Sequence, residues 1–347
     1  MKNTVINIFK LTGVYVGLII GAGFASGREI MTFFTGYGRI WPLGIITAGI
    51  LFAVLGYIIT DIVDKDNISS YSRFISRIMG EKTAGITEAV SGIFLCVLFF
   101  AMISASGSLA YEAFGISRMH GSMAMAAVCF LIFVRGMDGV IKVNAVLSPV
   151  MVIGAVLVCA CYCLTGGKAV FMVCGGNVKM PCLIFLSALV YVSYNIITAV
   201  SVFVGTRDII KEDKRVKISG VLGGIFLCVM GIMLGAVMFL GGEKLYGYDI
   251  PMLAAIGGTG TAMGYIYVLV LIGAIITTAA GNGYGAIMWA EDRTGIKPII
   301  IKIFMCASSV LFSLLGFARF TDSIYPLFGF LGLIEIFCIF KYYLRKI

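Results

Sequence analysis

The sequence predicts an all-α membrane protein of about ten transmembrane helices, arranged as two inverted five-helix repeats with helices 1 and 6 broken. Composition sets the class: 60% of the 347 residues are hydrophobic and 12% charged, with a mean hydropathy of +1.05. Soluble domains carry about a quarter charged residues, so a soluble fold is excluded. The spacing of apolar runs supplies the helix count. The third observation is a glycine-rich interruption inside the first run, Gly21-Ala22-Gly23-Phe24-Ala25-Ser26-Gly27.

Apolar runs near the ~20 residues that a bilayer span needs lie at about 5–36, 42–61, 86–114, 121–134, 141–164, 181–206, 216–240, 262–290, 298–316 and 322–341. They form a single transmembrane domain over 1–347. The first ten residues are short and mixed, and a full span follows without an A-x-A-like cleavage site, so the first helix is expected to stay attached. Placing the N-terminus in the cytoplasm puts nineteen of the 26 Lys and Arg residues on that side. This asymmetry assigns both termini to the cytoplasmic face of the cell's inner membrane. It accounts for the positive charge without a nucleic-acid partner. Membrane lipids and a small-molecule substrate are the expected partners, and the sequence leaves the oligomeric state open.

Most of the ten cysteines, including Cys159, Cys161 and Cys163, fall in apolar runs where they act as small hydrophobes. Cys174 and Cys182 flank an outer loop, which is no sufficient ground for a bridge.

Five spans occupy about 5–164 and five about 181–344, and an odd number per half makes the repeats inverted. Inverted repeats commonly build a solute site from corresponding interrupted helices. The first break therefore predicts a second one in the run from Pro181, where Tyr191, Ser193, Tyr194 and Asn195 form the only polar cluster. Interhelical hydrogen bonding is the alternative role for these four.

Broken backbone in lipid survives only where it is buried in protein or lines a polar cavity. Gly21 and Gly23 permit non-helical dihedrals and close approach of a ligand. Ser26 with Glu29 three residues on reads as a capping box, starting a new helix near Gly27. The N–H groups near Ala25–Gly27 suit a carboxylate, and the carbonyls closing the preceding half-helix suit a cation. The Tyr191–Ser193 carbonyls would meet an ammonium, and Phe24, Tyr194 and Asn195 a side chain. Gly21, Ala22, Gly23, Phe24, Ala25, Ser26, Gly27, Tyr191, Ser193, Tyr194 and Asn195 are thus the candidate binding residues. Arg28 and Glu29 are ionisable groups inside a span and read as an outer gate or ion pair. Upstream, Gly13, Gly17 and Gly21 form a smooth stripe for close helix contact.

The stretch Gly21 to Ile30, with Tyr191-Val192-Ser193-Tyr194-Asn195, resembles the YkvI-type family of bacterial membrane proteins, amino acid permeases of the amino acid-polyamine-cation superfamily. The resemblance covers the whole chain. It implies a LeuT-like fold in which helices 1, 2, 6 and 7 rock against a scaffold. A looser likeness to sodium-coupled neurotransmitter symporters implies one sodium ion, held by carbonyls near Ile19 and Ile20 and by the hydroxyls of Thr277 and Thr278. Phe24 stands where those symporters usually carry Asn, which leaves a second sodium site unsupported. No other cofactor is expected. Thr277 and Thr278 bonding back to their own helix is the alternative.

Proton coupling is the competing mechanism, with Glu335 and Lys142 as titratable candidates that both lie near enough to loops to snorkel. Ile68, Tyr71, Phe74, Ile75 and Ile78 predict an amphipathic interfacial helix, 207–215 a charged cytoplasmic loop, and 251–258 a short helical lid on the outside. The expected function is cation-coupled secondary transport of a small zwitterion, an amino acid, with sodium preferred over the proton. A non-transporting solute sensor or channel-like subunit on the same fold is the alternative. The chain offers no paired carboxylates, metal cluster or nucleophile with a base, so an enzyme is not expected.

Overall fold

The computed structural model describes residues 2–68, 70–144, 146–147, 153–154, 156–157, 182–212, 214–257 and 262–346, and its regular structure there is helical throughout. Most of the expected fifth span lies outside the described residues, as do Cys159, Cys161, Cys163 and Cys174. Among the described residues, six helical stretches are long and apolar enough to cross a bilayer: 35–65, 81–114, 182–205, 215–245, 262–294 and 317–344.

The chain opens with α1 (Lys2–Ile19), the single turn α2 (Ala22–Ala25) and α3 (Arg28–Phe33). Next come α4 (Trp41–Lys65), α5 (Tyr71–Met79), α6 (Glu81–Phe114) and α7 (Arg118–Val134). A bend of 119° separates α7 from α8 (Gly136–Asn144). The second half holds α9 (Cys182–Gly205), α10 (Arg207–Glu212), α11 (Ile218–Gly241), α12 (Pro251–Ala255), α13 (Ala262–Thr294) and α14 (Pro298–Ser313). A last span runs from α15 (Phe317–Arg319) through one π turn at Phe320–Ile324 into α16 (Tyr325–Leu344).

Three pairs dominate the packing: α4 with α11, α6 with α13, and α9 with α16. The first pair comes to backbone contact. A Cβ on Gly220 would lie 2.3 Å from the Gly56 carbonyl carbon, and one on Gly224 would lie 2.3 Å from the Ala53 nitrogen. Small residues four apart allow this, because helices in lipid associate through close packing and not by expelling water. The stripe expected on α1 does not serve the same purpose. A Cβ on Gly13 would meet open space, whereas the buried face is Leu11, Tyr15, Val16 and Ile19. Tyr15 packs on Gly223 and donates to the Phe52 carbonyl at 3.0 Å.

The expected amphipathic helix forms as α5. Ser70 caps it by accepting from the Arg73 N–H, and Phe74 and Ile75 are buried. The 207–215 segment is helical at α10 where a loop was expected. Beside them Asp66 joins three elements: it accepts from Tyr342 at 2.5 Å, pairs with Lys346, and lies 3.7 Å from Arg77. Burial opposes the Asp66 carboxylate, but Lys346 and Tyr342 outweigh it and hold its pKa below the ordinary value. A depressed carboxyl pKa stabilises above the unfolded value, about 3.9 for Asp, and the gain is lost as pH falls through the lower native value. Acidification through that window is therefore expected to loosen the end of α16. Hydrogen–deuterium exchange over 338–346 checks this, and Asp66→Asn should remove the pH dependence.

Candidate functional site

Two glycines interrupt the first span. Gly21 takes an extended backbone (φ −84°, ψ −175°), which ends α1, and Gly27 is left-handed (φ +80°), a conformation that glycine adopts at little cost. Residues 20–31 are buried throughout, as lipid demands of irregular backbone.

The capping box does not form. Gly27, not Ser26, stands at the N-cap of α3. The Ser26 hydroxyl instead donates to the Gly23 carbonyl at 2.9 Å and accepts from the Arg28 N–H at 3.3 Å. The amides of Ala25, Ser26 and Gly27 are also spent, donating to the carbonyls of Gly21, Ala22 and Phe24. They are thus not free for a substrate carboxylate, because the α2 turn closes on itself. Two carbonyls of the break are held from outside it: Ala25 accepts from the Tyr267 hydroxyl, and Ser26 accepts from the Met252 N–H at 2.9 Å.

Glu29 turns inward. A Cβ on Gly23 would sit 1.9 Å from Glu29 Oε1, so the carboxyl occupies the space that the glycine leaves open. Tyr191 and Tyr194 approach it from α9, with Tyr325 of α16 beyond. Their rings pack edge to face or tilted, Tyr191–Tyr194 at 5.5 Å and Tyr194–Tyr325 at 5.4 Å. Glu29 Oε2 and the three tyrosine hydroxyls are buried without a well-formed hydrogen bond. The expected Arg28–Glu29 pair is absent, since the two side chains leave the helix in different directions.

Helix 6 is not broken. α9 runs uninterrupted for 24 residues, because its polar residues include no glycine or proline to release the backbone. Its carbonyls near Tyr191–Ser193 are therefore not exposed to an ammonium. Asn195 Nδ2 donates to the Tyr191 carbonyl at 2.9 Å, and the Ser193 hydroxyl bonds to Val190 and, across the helix contact, to Gly329 of α16. Tyr191 and Tyr194 thus face the break, whereas Ser193 serves packing.

Phe24 lines an apolar cavity with Ile30, Phe34, Phe52, Tyr191 and Leu227. Its volume is about 10 Å³, near the lower limit for one water. Among the sodium candidates, Thr278 abuts the bend: a Cβ on Gly21 would lie 3.1 Å from its Oγ1, next to Ile19 and Ile20. Hard oxygen groups at a helix break suit such a cation. Thr277 fits less well, since its hydroxyl bonds back to Gly273 and Ala274 at 3.0 and 3.1 Å.

One end of the break is closed by Arg28, whose guanidinium pairs with Asp322 through Nε and Nη2 and donates to the carbonyls of Tyr246 and Tyr248 at 3.1 and 2.9 Å. Thr32 adds a bond to Asp322 at 2.6 Å. Asp322 lies in the π turn, and such turns are frequent at functional positions. A short helix, α12, forms within the segment expected to be a lid. Glu112 accepts from the amides of Asp249 and Ile250, while Asp249 pairs with Arg118 and accepts from Ser108. Near the end of α4, Lys217 bridges Asp61 and Asp64 at 2.6 and 2.9 Å. Glu335 is buried and does not snorkel: the Tyr71 hydroxyl donates to it at 3.4 Å and lies 2.7 Å from the Ser91 hydroxyl. Lys142 is exposed.

Sequence reasoning missed Asp322, Tyr325, Tyr267 and the Asp61 cluster. Asp61 and Asp322 were visible as acids at the edges of apolar runs, but nothing local named their partners.

No family model matches the chain. It is 27% identical over 325 residues to the membrane protein YkvI of Bacillus subtilis (strain 168), covering 93% of this chain and 92% of that one. It is 23% identical to YyaD of the same organism over 327 residues, 94% of each chain. Among solved structures it resembles Mhp1, a nucleobase-cation-symport-1 family transporter in a closed conformation with bromovinylhydantoin bound, with a TM-score of 0.52 and 14% identity over 95% of this chain and 71% of that one. The chain is a multi-pass membrane protein whose fold resembles that of Mhp1, and the membrane protein YkvI and the protein YyaD are among its homologues.

Proposed function

We propose that the protein is a cation-coupled secondary transporter of a small zwitterion, an amino acid, working by alternating access in the cell membrane with both termini cytoplasmic. In this reading ten spans form five plus five inverted repeats. The pairing of α4 with α11, α6 with α13 and α7 with α14 supports that scheme, since each joins spans in corresponding positions of the two halves. The observation that carries the function is the double interruption of the first span, buried between α9, α11 and α13 where a plain structural helix would run straight.

The solute enters between the break and the Tyr191–Tyr194 face of α9 once Arg28 and Asp322 separate. The closed cavity is too small to hold it. One sodium ion sits at Ile19, Ile20 and Thr278, with Thr277 joining after it releases its own helix. Uptake of a radiolabelled amino-acid hydrolysate into proteoliposomes under an imposed sodium gradient tests the transport reading. Saturable binding without flux would favour a sensor. Thr278→Val is expected to abolish any sodium-dependent rise in thermal stability while leaving the sodium-free melting point within a few degrees. A sodium effect that survives the substitution overturns the assignment.

A further inference from the structure

We propose that Glu29 holds a proton in the closed state and gives it up when the outer gate opens, so that a proton is coupled in addition to the sodium ion proposed above. This rests on the transporter reading for its consequence but not for the protonation itself.

The argument begins with charge. Glu29 is buried, one of its oxygens has no hydrogen bond, and its recorded polar neighbours are hydroxyls. The groups facing it are Tyr191 and Tyr194 from α9 and Tyr325 from α16. The adjacent cation, Arg28, is committed to Asp322 and to two carbonyls of the outer loop. An ionised carboxylate in such surroundings carries a large desolvation cost unless a cation compensates it.

Space decides which cation. The carboxyl lies against Gly23 within van der Waals reach of the backbone. The neighbouring cavity is apolar and about 10 Å³ in volume, near the limit for a single water. With the carboxyl packed against Gly23 and facing three tyrosines, a proton is the cation that needs no added volume. The tyrosine hydroxyls, which both donate and accept, suit either form of the acid: they accept from the carboxylic acid and donate to the carboxylate.

Chain connectivity links the proton to the gate. Arg28 and Glu29 are neighbours on the first turn of α3, so moving that turn to part Arg28 from Asp322 also draws Glu29 away from α9. Tyr325 follows the π turn that carries Asp322. Opening the outside thus changes the surroundings of Glu29 from both of its packed elements. The proton passes between Glu29 Oε and water, with no other bond made or broken.

Full-length wild type and Glu29→Gln, reconstituted in vesicles, test the proposal by two readouts. In infrared spectra taken across neutral pH, wild type is expected to show a protonated-carboxyl stretch that titrates and that Glu29→Gln lacks. Absence of a Glu29-dependent band overturns the proposal whether or not solute moves. In the second readout, a gradient of one pH unit sustains up to about tenfold accumulation per coupled proton. Labelled hydrolysate should accumulate in wild type on that gradient and only equilibrate in Glu29→Gln. Accumulation by Glu29→Gln equal to wild type overturns the coupling role. A titrating Glu29 band with no flux in wild type sinks the transport reading and leaves the proton site standing. Tyr194→Phe should shift the pH at which the band titrates, which a purely structural tyrosine would not do.

Discussion

Gly220→Leu is expected to abolish the folded protein. The α4–α11 contact is backbone against backbone: a Cβ at Gly220 would lie 2.3 Å from the Gly56 carbonyl carbon and 2.6 Å from the Tyr57 nitrogen. Overpacking an ordinary core costs about 1–3 kcal/mol because side chains can shift. Here the obstacle is main chain, so the helices must separate along their length. Gly56, Gly220 and Gly224 would lose contact together, and Tyr15 would lose its seat on Gly223. A loss above about 3 kcal/mol is a large share of the 5–15 kcal/mol that stabilises a typical protein. Size-exclusion chromatography in detergent checks the result, with Gly220→Ala giving an intermediate loss. A monodisperse Gly220→Leu protein with the wild-type melting point would contradict the packing.

Asp322→Asn is expected to shift the molecule toward an outward-open state. Replacing the carboxylate leaves the Arg28 guanidinium with a neutral amide oxygen and the Tyr246 and Tyr248 carbonyls, and no charged partner. The Thr32 hydroxyl also loses a charged acceptor. Breaking a fully buried ion pair costs about 3–5 kcal/mol. The Asp322 side chain is 37% exposed, so solvent screening reduces this to about 1–2 kcal/mol, roughly a tenfold change in the ratio of closed to open forms. Hydrogen–deuterium exchange over residues 22–33 should rise by about that factor. Exchange at 338–346, held by the separate Asp66 cluster, should not change. Equal exchange in both proteins over 22–33 would remove Arg28–Asp322 as the outer gate.

Much of the site was legible because its cause is local. Gly27 marks the break through a left-handed backbone that glycine adopts cheaply, after Gly21 ends α1 in an extended conformation, and α5 followed from the helical spacing of Tyr71, Phe74, Ile75 and Ile78. The errors were of two kinds. Ser26 and Glu29 fit a capping-box pattern, but that pattern assumes that both side chains turn to their own helix. Tertiary packing offered Glu29 the gap at Gly23 and the tyrosines instead. The break in the sixth span was inferred from symmetry, although Tyr191 to Asn195 contain nothing that forces the backbone out of a helix. α9 accordingly keeps its hydrogen bonds and presents side chains to the site.

The chain's sequence determined by itself that this is a helical membrane protein, where its apolar runs lie and that its first span is interrupted, since hydropathy and backbone strain belong to short stretches of chain. Only the tertiary structure decided the partners: Arg28 with Asp322 across 294 residues, Tyr267 with Ala25 across 242, and Glu29 among tyrosines of two other helices. A polar group in lipid must find a partner, but which one it finds depends on where distant helices pack, and that is a property of the assembled bundle.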